Sequence, residues 1–134
     1  MSESCIFCQI IRKEAPHSRV YEDKETVAFL SNRPVNPGHT LIVPKRHLEN
    51  IDQISDEEIA RTYVVVKQVA QAVSRAINPE GIRIVQNNGE AAGQVIQHFH
   101  VHVIPMYSRM TMYHGNIRDF ETLEIDAERI RRFI

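Results

Sequence analysis

The stretch Gln97-His98-Phe99-His100-Val101-His102-Val103-Ile104-Pro105 alternates polar and apolar residues with period two through Ile104. Side chains at i, i+2 and i+4 of a strand project the same way. Residues 97–104 therefore read as a strand with His98, His100 and His102 on one half-exposed face and Phe99, Val101 and Val103 on the face toward the core. Three imidazoles in register lose hydration beside one another, and charging them together is costly, so the pattern points to metal ligation or proton transfer. Seven histidines and no tryptophan occur in the chain. The clustering of three of the seven here makes this strand the first place to look for chemistry.

Upstream, Gly89 and Gly93 lie in a turn whose backbone N–H groups can approach an anion closely, and Asn87 and Gln94 add neutral polar groups. A phosphate fits such a site. From these residues alone two uses stay open: a tri-histidine metal site, or a nucleophile with flanking acid and hydrogen-bonding groups. Further out, Ile82-Arg83-Ile84-Val85-Gln86 alternates weakly and reads as another strand. Ser55-Asp56-Glu57-Glu58 is a capping-box signature opening a long amphipathic helix that ends before Asn78-Pro79. Its apolar stripe Ile59, Tyr63, Val66 and Val69 suits either a core or a partner. Arg19-Val20-Tyr21-Glu22 and Thr26-Val27-Ala28-Phe29-Leu30 form a hairpin candidate around Asp23-Lys24-Glu25, and Thr40-Leu41-Ile42-Val43 follows the Pro- and Gly-bearing loop 32–38. Residues 6–12 predict a short helix. Residues 126–134, with Ile130 and Phe133 at helical spacing, predict a short terminal helix covering part of the sheet. Five strands with one long intervening helix argue an α+β fold with an antiparallel sheet.

The chain has 134 residues, 43% apolar and 25% charged, which fits one domain over 1–134. A net charge of -1 gives no basic field, so duplex nucleic acid is not an expected partner. No segment reaches the roughly 20 apolar residues that span a bilayer, and no secretory leader is recognisable, so no membrane is expected and the expected location is cytoplasmic. Cys5 and Cys8 are too close together to staple a fold. Their spacing suits a metal clip, yet a pair supplies only two of the four ligands of a structural zinc site. A redox pair is the weaker reading, because the βαβ pattern that usually accompanies it is absent.

The motif Gly93-Gln94-x-x-x-His98-x-His100-x-His102-x-x-Pro105 resembles the signature of the histidine-triad (HIT) superfamily of nucleotide hydrolases and transferases. The likeness extends through Ile6-Phe7-Cys8-Gln9-Ile10-Ile11, Val20-Tyr21-Glu22-Asp23, Ala28-Phe29-Leu30, Pro37-Gly38-His39, Ile42-Val43-Pro44-Lys45-Arg46-His47 and Asn87-Asn88-Gly89. It covers roughly residues 5–107 and leaves 108–134 as a C-terminal extension. The resemblance implies a HIT-like fold of five antiparallel strands with two main helices, usually a homodimer built through the long helix and the strand near Ile82.

It also implies roles. His100 corresponds to the family nucleophile, which attacks the α-phosphorus of a purine nucleoside 5′-monophosphate derivative and holds the nucleotide as a phosphoramide. His39 and His102 would line the phosphate and leaving-group side with Gln94 and Val95, and no catalytic metal is needed. Ile6, Phe7, Ile10, Phe29 and Leu30 would form the base pocket, with Asn87 near the ribose or phosphate. Ser31 and Asn32 stand where many members use an Asp for the ribose hydroxyls, and Val95 replaces the serine next to the Gln. Members with this cysteine pair complete a structural Zn²⁺ site with histidines matching His47 and His98. The implied activity is phosphoramidate hydrolysis. The alternatives are dinucleoside polyphosphate hydrolysis, for which Arg33 or Arg109 could meet the extra phosphates, and a zinc-stabilised nucleotide-binding module without turnover. His17 and His114 fall outside the pattern and read as surface or loop residues.

Overall fold

The computed structural model describes residues 4–108 and 119–134. The elements run α1 (Ile6–Ile11), β1 (Arg19–Glu22), β2 (Thr26–Leu30), β3 (Thr40–Pro44), α2 (Asp56–Ile77), β4 (Gly81–Val85), a single 3₁₀ turn (Glu90–Ala92), β5 (Val101–Met106) and α3 (Phe120–Arg131). The five strands form one antiparallel sheet in the order β1-β2-β3-β5-β4. This is the expected α+β, HIT-like architecture. Among the described residues no helix is long and apolar enough to cross a membrane.

Local chemistry explains the elements. Asp23 Oδ1 accepts from the backbone N–H groups of Glu25 and Thr26, closing the β1–β2 turn. Helix α2 opens with the full capping box, in which Ser55 accepts from the Glu58 N–H and the Glu58 carboxylate accepts from the Ser55 N–H, and it ends on Asn78 in the left-handed region. Arg46 donates to both Glu58 carboxylate oxygens, at 2.7 and 2.8 Å, and that hydrogen bonding keeps the Glu58 carboxyl down at about 2.

The sheet is covered on both faces, so β2 and β3 are buried along their whole length. Ala28, Leu30, Ile42, Phe99, Val101 and Val103 point to the face packed by α2 and α3, where they meet Val66, Val69, Val73, Ala127 and Ile130. Val27, Phe29, Leu41 and Val43 point the other way, onto Phe7 and Ile10 of α1. The alternation predicted for residues 97–104 therefore holds, with two corrections. The ladder begins only at Val101. Before it, the chain is held by the Phe99 N–H donating to Leu48 O at 2.7 Å. The histidine face is also not half-exposed, because α1 folds back over it: His98 and His100 are buried and only His102 is partly open.

The α2 stripe splits as well. Val66 and Val69 are core and Ile59 packs against it, whereas Tyr63 is exposed. Helix α3 starts earlier than the predicted 126, at Phe120 with Asp119 as cap, and buries Leu123, Ala127 and Ile130, while Phe133 lies beyond its end and is exposed. Arg131 ties α3 to the carbonyl of Arg19 on β1.

The turn that delivers His39 to β3 depends on Gly38, whose φ is +95°. A Cβ there would sit 3.0 Å from Ile77 Cγ1 and 3.2 Å from Pro105 Cγ. Left-handed strain and crowding act together, so Gly38→Ala should destabilise the fold by about 1–3 kcal/mol in chemical denaturation. An unchanged midpoint would contradict this account of the turn.

Candidate functional site

One cavity of about 420 Å³ opens beside β5 on the face covered by α1. Apolar walls come from α1 and the central strands, Ile6, Phe7, Ile10, Phe29 and Leu41, and Leu30 borders the cavity although its side chain points to the α2–α3 face. The polar end carries His39, His100 and His102, and the rim carries Ser31, Asn32, Arg33 and Val95. The rings are packed edge to face: Phe7 lies 5.0 Å from His100 and 5.4 Å from Phe29, centroid to centroid, and His102 lies 4.9 Å from His100. An apolar slot ending in three imidazoles accepts a flat ring at one end and a phosphoryl group at the other.

The tautomers follow from backbone partners, since a carbonyl only accepts and an N–H only donates. His100 Nδ1 lies 2.7 Å from the His98 carbonyl, so Nδ1 carries the proton and Nε2 keeps a lone pair. The Val35 N–H donates to His39 Nδ1 at 3.0 Å, so His39 carries its proton on Nε2, and that N–H donates to His102 Nδ1 at 2.9 Å. His102 is left with an Nε2–H as its remaining donor. Burial pushes all three below the ordinary imidazole value. His39 goes to about 3 and His102 to about 4, with repulsion between neighbouring rings adding to the effect, and His100 shifts the same way by burial.

Beneath this site Cys5, Cys8, His47 and His98 bring one ligand atom each to within 4.8 Å of one another. Cys5 caps α1, and its Sγ accepts from the Cys8 N–H. His98 donates Nε2–H to Pro44 O at 2.8 Å, which leaves Nδ1 unprotonated and turned to the cluster. From Nδ1 of His98 the distances are 3.5 Å to Cys5 Sγ, 3.6 Å to Cys8 Sγ and 3.2 Å to His47 Nδ1, and Cys8 Sγ lies 3.3 Å from His47 Nδ1. A tetrahedral ion with metal–sulfur bonds of about 2.3 Å and metal–nitrogen bonds of about 2.0–2.1 Å has edges of about 3.6 Å from S to N and about 3.3 Å from N to N. The four residues fit a metal ion.

Some expected groups are engaged elsewhere. Gln94 is buried, but its amide donates to the carbonyls of Glu49 and Ile96 and accepts from the Gly89 N–H, and its own backbone N–H goes to Gly89 O. It pins the turn before β5 and does not line the cavity. Gly93, with φ +95°, and Asn87, packed against it, are likewise outside the lining. Ser31 Oγ accepts from the Arg33 N–H, which shapes the rim. Val95 is 83% exposed at the mouth. His17, assigned to a surface or loop position from sequence, lies in the loop before β1, but it is half-buried and lines the cavity, as does Phe120 of α3. Nothing in the local pattern marks either, because both arrive through long-range packing. Arg109 and His114 lie outside the described residues.

The HIT domain family profile matches residues 12–109. Adenosine 5′-monophosphoramidase hnt1 of Schizosaccharomyces pombe is 39% identical over 76% of this chain and 74% of its own length. Among solved structures, a Hit-like protein from Bartonella henselae superposes with a TM-score of 0.92 at 34% identity, covering 100% of this chain and 99% of that one. A zinc-bound histidine triad family protein from Mycobacterium smegmatis gives 0.85 at 32% identity, covering 96% and 91%. A profile match spanning most of the chain means that this chain belongs to the HIT domain family.

Proposed function

We propose that the protein is a hydrolase or transferase acting at the α-phosphate of purine nucleoside 5′-monophosphate derivatives, phosphoramidates first, through a nucleotidyl-His100 intermediate. The observation that carries this reading is the His100–His98 hydrogen bond of 2.7 Å, which fixes the proton on Nδ1 and leaves a neutral Nε2 lone pair on a ring lining the cavity. Nε2 forms a bond to phosphorus, and the P–N bond of the substrate breaks with its electron pair going to the amine, which takes a proton. Water then attacks phosphorus and releases a proton that balances the one taken up by the amine, the bond to Nε2 breaks back onto the ring, and AMP leaves. His102, with its proton on Nε2, donates to the phosphoryl oxygens or leaving group, and His39 locks His102 in that tautomer. Ile6, Phe7, Ile10, Phe29 and Leu30 hold the base, and Ser31 and Asn32 lie at the ribose. The backbone of Val95, with Asn87, Gly93 and Gln94 behind it, shapes the phosphate end. The name of the fission yeast relative supports the same chemistry.

Arg33 on the cavity rim favours one second reading, dinucleoside polyphosphate hydrolysis, in which a guanidinium would meet the additional phosphates. Relative turnover of an adenosine phosphoramidate and a diadenosine polyphosphate separates the two.

We assign Zn²⁺ to Cys5, Cys8, His47 and His98, a closed site of four protein ligands that is structural and tethers α1 to the segment leading into His100 and β5. The zinc-bound relative supports this assignment. In a reducing cytoplasm both thiols stay available to the ion. A homodimer through β4 and α2 agrees with β4 being a sheet edge that exposes Ile84, and with the outward Tyr63 and Val64 of α2.

Quenched incubation with an adenosine phosphoramidate, followed by intact mass, should show one AMP on the wild type and none on His100→Ala, with AMP release by the variant down at least about 10³-fold. Equal release by both proteins would exclude His100 as nucleophile. Purified protein should carry about one zinc per chain, and the Cys5→Ser, Cys8→Ser double variant should lose it together with at least about 2 kcal/mol of stability. Metal-free protein of unchanged stability would refute the assignment.

Because the folded chain refuses protons on His39 and His102 that the unfolded chain accepts near 6.5, their contribution to stability is complete above pH 6.5 and is lost progressively as pH falls toward 3–4. Nitrogen-resolved imidazole NMR at pH 5.5 should find both rings neutral, with His39 protonated on Nε2. An imidazolium at either position would break the proposed hydrogen-bond relay.

A further inference from the structure

Among the described residues, His17 is the cavity-lining histidine that the triad chemistry does not use. It lies in the segment between α1 and β1, where the chain reverses through Lys13 at a positive φ of 63°. Its Nδ1 stands 3.0 Å from the Ala15 carbonyl, so Nδ1 carries the proton and donates it. The ring keeps one further polar atom, the acceptor Nε2. The same ring packs edge-on to Phe29, with centroids 6.3 Å apart and planes at 73°. Three ring contacts therefore lead in sequence from the nucleophile along the slot: His100 to Phe7, Phe7 to Phe29, Phe29 to His17. The walls between the two histidines, Phe7, Phe29, Ile10 and Leu41, offer no polar side-chain atom.

We infer that His17 reads the outer edge of the base and selects a 6-aminopurine. The inference rests on the cavity binding a nucleotide with its phosphate at His100. A purine carries its sugar on N9 and its 6-substituent on the opposite ring. A base whose sugar points toward His100 therefore turns its six-membered ring to His17. Adenine places an N–H donor at position 6, which Nε2 accepts, whereas hypoxanthine and guanine place an oxygen there, whose lone pair faces the lone pair of Nε2. Stacking in the slot serves all purines equally, because every base has a π-face. The hydrogen bond alone distinguishes them.

The test compares adenosine 5′-phosphoramidate with purine riboside 5′-phosphoramidate, which differs only by lacking the 6-amino group, on wild type, His17→Phe and His17→Gln. Wild type should favour adenosine about 5–10-fold, the worth of one net hydrogen bond, and the difference should lie in KM rather than kcat. His17→Phe keeps an aromatic ring against Phe29 and should bring the ratio near one, chiefly by raising KM for the adenosine substrate. His17→Gln restores an acceptor and should recover part of the preference. No preference in wild type, or a preference that survives in His17→Phe, overturns the assignment. Binding of AMP and purine riboside 5′-monophosphate, measured calorimetrically on the same proteins, separates this proposal from the catalytic one. A base preference in binding without turnover would sustain His17 and sink the reaction, and binding of neither nucleotide would sink both.

Discussion

A backbone carbonyl accepts a hydrogen bond and cannot donate one, and this one-sidedness orders the whole site. The Pro44 carbonyl takes the proton on His98 Nε2 and so turns Nδ1 of that ring to the cysteines. The His98 carbonyl accepts the proton on His100 Nδ1 and so leaves a lone pair on Nε2, the atom proposed to attack phosphorus. His98 thus serves two sites through two different groups, its side chain orienting one ligand atom of the Cys5, Cys8, His47 cluster and its main chain fixing the tautomer of His100, the proposed nucleophile. Val35 completes the set from the opposite polarity, since an amide N–H donating to His39 Nδ1 forces the proton onto the side facing His102. Each imidazole would otherwise exchange between two neutral tautomers, only one of which has its lone pair or its proton where the chemistry requires it.

Burial keeps this arrangement neutral. Apolar residues alternate with the histidines over 98–103, so Phe99, Val101 and Val103 anchor this segment in the α2–α3 core while the opposite face carries the imidazoles under α1. Core packing therefore sets the position of the catalytic face to within side-chain tolerance, and α1 removes water from it. The cysteine pair lies at the start of α1, which means that the element shielding His100 is fastened by the same cluster that orients His98. Site geometry and N-terminal docking are consequently coupled through a few side chains rather than through the sheet as a whole.

The sheet was legible in the sequence because period-two alternation is a local signal, and so were the α2 cap and the Asp23 turn. What local pattern could not convey was which surface each face meets. The histidine strand looked half-exposed because the helix covering it lies some ninety residues earlier in the chain. Helix α3 was read too short because its first turn depends on Leu123 packing into a core assembled from distant elements. The metal set was suggested by spacing for Cys5 and Cys8, but His47 and His98 join them only through tertiary structure, and resemblance supplied them. Gln94 looked like a phosphate ligand by composition, yet a buried amide must satisfy its own donors and acceptor first, and the turn it bridges consumes them all. His17 was set aside because a lone histidine in a loop carries no pattern.

The balance of groups in the cavity bears on how binding energy could serve catalysis. Its described walls hold one cation, Arg33, at the rim, and the phosphate end is built from neutral imidazoles whose protons are placed by hydrogen bonding. Affinity for a nucleotide must then come chiefly from the apolar slot, where it is the same before and during reaction. The phosphate end contributes dipoles whose effect grows as charge develops on the phosphoryl oxygens. Fixed neutral donors in a water-poor site attract a ground-state phosphate weakly and a more highly charged transition state strongly, without having to reorganise. A cluster of lysines in the same place would bind substrate and product more tightly and would hold AMP in the site after hydrolysis. Three neutral histidines avoid that penalty, so in the proposed reaction the burial that keeps them neutral serves catalysis as well as the fold.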